Sequence, residues 1–198
     1  MVYVYVADSS TLPEPLENAW VMEGLPIERK KKILSSKQKQ KRLQSLGAGL
    51  LLNHVFHKHG ISSNILKTDE NGKPIAEGIC FNLSHSGDYV VCAVSERPVG
   101  CDIEQIKEAP KLVGERAFSV EENAYLKSFS GDAYNQEFFR IWTKKESFLK
   151  MMGIGIRVPL QTLEMAECYF KEYEIPGYQV TICAEENEFA EMIWEKYK

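Results

Sequence analysis

Residues 79–104 constrain the fold more than any other stretch of this sequence. Two apolar runs, 79–83 and 89–94, are joined around Ser86-Gly87-Asp88, and a third, 99–104, follows Pro98. Short apolar runs bounded by turn residues predict an antiparallel hairpin with a further strand after it. Asn71-Gly72, before Lys73-Pro74, adds a tight-turn signal upstream. Helical patterns lie on both sides of this β-rich centre, so the expected class is α+β.

Val2, Tyr3, Val4, Tyr5 and Val6 read as a strand buried on both faces, broken by the Ser, Thr and Pro of 8–15. Segments 14–25 and 27–34 read as short helices separated by Pro26. Residues 39–57 carry Leu43, Leu46, Leu50 and Phe56 at helical spacing, with Gly60 as the stop. Ser119 followed by Glu122 fits a capping box opening a helix over 120–129. A longer helix is expected over 134–152, stopped by Gly153 and Gly155, then a strand over 178–184 and a short apolar segment at 189–194. Each half thus holds helices and strands, which predicts two similar-sized lobes, 1–97 and 98–198, with the junction near Arg97-Pro98.

The chain has 198 residues, 44% hydrophobic and 26% charged, enough to bury a core and unlike a disordered segment. Its net charge of −4 argues against nucleic acid or an anionic membrane as the partner. The exception is 28–42, a basic block in an acidic chain. It suits an anionic ligand, and equally the solvated face of a helix. The five cysteines, odd in number and without a C-x-x-C pair, read as reduced thiols. With no basic-then-apolar leader and no apolar run long enough to span a bilayer, the expected location is the cytoplasm.

Three segments hold residues suited to chemistry. Asp102 and Glu104 stand two apart on an expected strand, which puts both carboxylates on one face, where one hard cation can bridge them. Two acids on a water-facing strand edge give the same letters. Glu146 and Lys150 stand i, i+4 on one helical face, either as a surface ion pair or as a functional pair. The run Phe81-Asn82-Leu83-Ser84-His85-Ser86-Gly87 leads a strand into a turn whose small polar groups suit an anion. Ser84 or Ser86 with His85 makes a poor nucleophile–base pair, because neighbours on a strand point to opposite faces. His54, His57 and His59 end a helix, where cations favour the dipole over a metal role.

Taken in order, F-N-L-S-H-S-G, V-G-C-D-I-E and I-W-T-K-K-E-S-F-L-K resemble the 4′-phosphopantetheinyl transferase superfamily, in its surfactin-synthetase-activating type. The strict resemblance covers 73–155. It implies a monomer of two pseudo-symmetric α+β lobes, with coenzyme A and Mg²⁺ in the cleft between them. The implied reaction moves the phosphopantetheine arm of coenzyme A to a serine of an apo acyl or peptidyl carrier protein, releasing adenosine 3′,5′-bisphosphate. By position, Asp102, Glu104 and Glu146 match the family's metal acids, with Glu146 also the base. Lys150 matches the lysine on the substrate phosphate. Lys73, Ser84 and His85 match nucleotide and phosphate contacts, and Arg42, Arg29 and Lys32 match basic positions near the 3′-phosphate. Cys101 stands where the family would have an aliphatic residue, and the chain is somewhat short for the type. A coenzyme A or carrier-binding module without turnover, and a metal-dependent phosphodiesterase, are the competing readings. Apolar residues within 111–129 suit either a carrier helix or the core.

Overall fold

The computed structural model describes residues 1–61, 67–68, 74–155 and 158–197. Asn71, Gly72 and Lys73 lie outside the described residues. In chain order the strands and α-helices are β1 (Val2–Asp8), α1 (Ile27–Ser35), α2 (Lys39–Lys58), β2 (Lys67–Thr68), β3 (Pro74–Ile75), β4 (Cys80–Ser86), β5 (Tyr89–Ser95), β6 (Val99–Gln105), α3 (Lys111–Ala117), α4 (Val120–Leu126), α5 (Gly131–Met152), β7 (Tyr169–Ile175), β8 (Tyr178–Ala184) and β9 (Phe189–Glu195). The class is α+β, as expected.

The main sheet has the order β4-β5-β1-β9 and a second has the order β6-β8-β7. β4 and β5 form the expected hairpin with Ser86 opposite Tyr89, so Gly87 and Asp88 make the turn. Gly87 adopts φ +54°, open to glycine at little cost, and a Cβ there would strike the Tyr178 ring. β1 is central, and its alternation serves two cores. Val2, Val4 and Val6 pack with Val99, Cys101 and Ile103 of β6 and with β8 between the sheets, while Tyr5 and Ala7 pack under α2. Burial on both faces explains why the strand reads as a continuous apolar run.

Three sequence expectations change. Segment 14–25 is not a helix: it holds turns and one 3-10 turn, Ala19–Met22. Pro13 and Pro15 interrupt the amide ladder, and Val21, Met22 and Leu25 instead dock on α2 beside Leu43 and Leu46. The helix expected over 120–129 stops at Leu126, although its capping box is present, with the Ser119 amide donating to Glu122 (2.7 Å) and the Glu122 amide to Ser119 Oγ (3.2 Å). The apolar segment at 189–194 is β9, which runs parallel to β1. The main sheet therefore draws its last strand from the second half of the chain. Among the described residues no helix is long and apolar enough to cross a membrane.

The contact between α5 and β6 matters most for the site. A Cβ on Gly100 would overlap the backbone of Ser147 and Met151, so only glycine lets strand and helix approach this closely. The buried hydroxyls of Thr143 and Thr181 meet at 2.8 Å and tie α5 to β8.

Candidate active site

β6 turns Cys101 and Ile103 into the core and presents Asp102 and Glu104 to the adjoining cleft. α5, held down at Gly100, brings Trp142, Glu146 and Lys150 over the same place, and β4 supplies Leu83, Ser84 and His85. These eight residues line an open cleft of about 290 Å³. A larger, mainly apolar cavity of about 750 Å³ lies by β9 between Trp20 and Trp194 and holds none of these acids. Chemistry rather than size marks the site.

Lys150 Nζ donates to Asp102 Oδ1 (2.5 Å) and to Ser84 Oγ (2.9 Å). Ser84 Oγ donates in turn to Asp102 Oδ1 at 2.9 Å, and Ser86 Oγ donates to Glu104 Oε2 at 2.8 Å. Burial pushes the Asp102 carboxyl above the usual carboxylate range, and Lys150 and Ser84 only partly counter it. Glu104 is raised by burial and by the Asp102 charge, and Glu146 by the same two causes, up to about 6. On Lys150, burial is the largest single influence and acts downward, but the charge and hydrogen bond of Asp102, with Cys101 and Glu146, together outweigh it and keep the ammonium protonated.

Two oxygens in this group, Asp102 Oδ2 and Glu146 Oε1, are buried and have no hydrogen-bond partner among the described residues. Buried acceptors of that kind cost free energy unless a ligand reaches them. Among the described residues no group of three or more His, Cys, Asp or Glu side chains is placed to hold a metal ion by itself. The donors are thus hard, anionic, mutually repelling and incomplete. That fits a small divalent cation that keeps waters and substrate oxygens in its shell, and not a caged metal. The histidines near the end of α2 do not gather: His54 meets Glu195 (3.2 Å) and His59 meets Tyr5 Oη (2.9 Å).

Among the residues singled out from sequence, Ser84, His85, Asp102, Glu104, Glu146 and Lys150 come together. Lys73 lies outside the described residues. His85 is exposed at the cleft. Its imidazole titrates below the usual value through local desolvation, then through Lys150, Lys32 and Arg29, so the cations of α1 act on the cleft. Arg42 does not join them. It is buried, with Nε on Glu14 Oε1 (2.7 Å) and Nη1 donating to the Ser36 carbonyl (2.8 Å). Sequence reasoning passed over Lys145, and it read Asn82 and Ser86 only as part of the polar run before the turn, without a role of their own. Ser86 and Asn82 share the strand face of Ser84 by the period of two, a signal already in the letters.

The chain belongs to the 4′-phosphopantetheinyl transferase superfamily, whose model matches residues 98–196. It falls with the surfactin-synthetase-activating type of that enzyme class. It is 35% identical to the 4′-phosphopantetheinyl transferase psf-1 of Bacillus pumilus, over 73% of this chain and 72% of that protein. It is 30% identical to the 4′-phosphopantetheinyl transferase Sfp of Bacillus subtilis, over 89% of each. It is 41% identical to the 4′-phosphopantetheinyl transferase gsp of Aneurinibacillus migulanus, over 59% of this chain and 51% of that one.

Proposed function

We propose that this cleft transfers 4′-phosphopantetheine from coenzyme A to a serine hydroxyl of an apo acyl or peptidyl carrier protein, with Mg²⁺ as cofactor. The observation carrying this reading is the pair of partnerless buried oxygens, Asp102 Oδ2 and Glu146 Oε1, beside a protonated Lys150. Bound Mg²⁺, held by Asp102, Glu104 and Glu146, would neutralise charge on the diphosphate.

The chain's own residues supply the remaining parts. Lys150, fixed by Ser84 and Asp102, holds positive charge where the phosphoryl oxygens gain negative charge. Glu146, raised to about 6 in the metal-free cleft and ionised at neutral pH, is the carboxylate placed to accept the serine proton. The serine oxygen bonds to the phosphorus that carries the pantetheine arm, and the bond to the leaving phosphate oxygen breaks, freeing adenosine 3′,5′-bisphosphate. His85, Lys32 and Arg29 form a cationic or hydrogen-bonding wall for the rest of the nucleotide. The working unit of this reading is a monomer.

The test is incubation with coenzyme A, Mg²⁺ and apo carrier. Holo carrier and adenosine 3′,5′-bisphosphate in equal amounts are expected. Free phosphopantetheine with unmodified carrier would replace this reading with the phosphodiesterase.

A further inference from the structure

β6 is an edge strand of the second sheet: β8 pairs with one side, and its other side meets β4 of the main sheet. Among the described residues no backbone ladder joins β4 and β6. Three side chains of β4 take its place. Asn82 Oδ1 accepts the Cys101 amide (2.9 Å), Ser84 Oγ accepts the Ile103 amide (3.4 Å), and Ser86 Oγ accepts the Gln105 amide (3.0 Å). Acceptors at every second residue of one strand meet amides at every second residue of the other, so the rungs share one register. An exposed edge would otherwise present these amides unpaired.

The two serines do more than the asparagine. A hydroxyl has one donor and two acceptor lone pairs, so it can take a backbone amide and still donate. Ser84 donates to Asp102 Oδ1 and also accepts Lys150 Nζ, which fills its capacity. Ser86 donates to Glu104 Oε2. Glu104 thereby has its carboxylate turned by a residue that touches no reacting atom itself.

Resting on the reading of the cleft given above, we propose that Ser86 is a positioning residue: it fixes the Glu104 carboxylate toward the cation while locking β6 to β4, whereas Asn82 only locks the strands. Residues that orient a metal's ligands typically change metal affinity by ten-fold or more when removed.

The test compares Ser86→Ala, Ser86→Thr and Asn82→Ala in the whole protein, with Mn²⁺ alone as a paramagnetic probe titrated without coenzyme A or carrier. Ser86→Ala should weaken Mn²⁺ binding about ten-fold and raise the Mg²⁺ concentration for half-maximal transfer by a similar factor. The KM for the carrier should stay unmoved, and the Gln105 amide should exchange faster. Ser86→Thr should restore both metal readouts. Asn82→Ala should lower Tm and leave Mn²⁺ binding where it was. Wild-type Mn²⁺ affinity in Ser86→Ala, despite faster Gln105 exchange, would overturn the inference, as would a wild type that binds no Mn²⁺. A wild type that binds Mn²⁺ but modifies no carrier would overturn the proposed function instead, and the Mn²⁺ titration would still decide the role of Ser86.

Discussion

Lys145 and Lys150 stand on the same helix, and both are drawn from water, yet their surroundings differ. Lys145, 2% exposed, donates to Leu160 O (2.8 Å) and pairs with Glu122 (2.9 Å), the carboxylate that also completes the capping box of α4. That network is closed and joins α5 to α4 and to the segment after α5. Lys150 meets Ser84 and Asp102, but the carboxylates around it keep raised pKa values and two partnerless oxygens. A closed buried pair holds a fold in register, whereas an open one is complete only with a ligand. One face of α5 therefore carries structure and the other carries chemistry, and substitutions on the two faces should separate.

The largest expected effect is on the open face. Glu146→Gln should lower turnover about a thousand-fold, with Tm unchanged or higher because a repelling charge is removed. Turnover near wild type at saturating Mg²⁺ would break the distinction. On the closed face, Lys145→Ala should cost about 3 kcal/mol in urea unfolding, near the low end for a broken buried pair because Glu122 keeps some contact with water. Turnover per folded molecule should fall less than ten-fold. A loss of activity as deep as that of Glu146→Gln, at unchanged stability, would erase the contrast.

Acidity sharpens it further. The folded pKa of Glu146 is raised to about 6 from 4.5, so the folded state binds the proton more tightly than the unfolded one. Its contribution to stability is fully present below pH 4.5 and is lost as pH rises through about 6. In metal-free protein, Glu146→Gln should remove this fall in Tm, and a Tm profile identical to wild type would contradict the assignment. The smallest effect belongs to the basic block. Lys32→Ala should weaken coenzyme A binding roughly three-fold at low salt and less as salt rises. Arg42→Gln should act chiefly on stability, because its guanidinium is taken by Glu14 and the Ser36 carbonyl.

Much of this was legible in local patterns. The hairpin, β6, the capping box and α5 each announce themselves within a few residues, and the i, i+4 spacing of Glu146 and Lys150 does place both in the cleft. What the letters withheld is non-local. Arg42 resembles its neighbours in a basic block until Glu14 folds against it. The 14–25 segment has helical letters but docks as turns, because its apolar residues follow the surface of α2 instead of a helical period. The parallel pairing of β9 with β1 joins the two ends of the chain, and no local signal specifies it. Asp102 and Glu104 alone read as an exposed edge. The approach of β6 and α5 at Gly100 turns them into part of a buried acid cluster.

The most direct test is the intact mass of an apo carrier after incubation with coenzyme A and Mg²⁺, run beside a chelator control and Glu146→Gln. The carrier should gain about 340 Da, the mass of one phosphopantetheine group transferred through a phosphoester, with wild-type protein and Mg²⁺ only. An unchanged mass across a panel of apo carriers, or an equal gain in the presence of chelator, would contradict a metal-assisted transferase at this cleft.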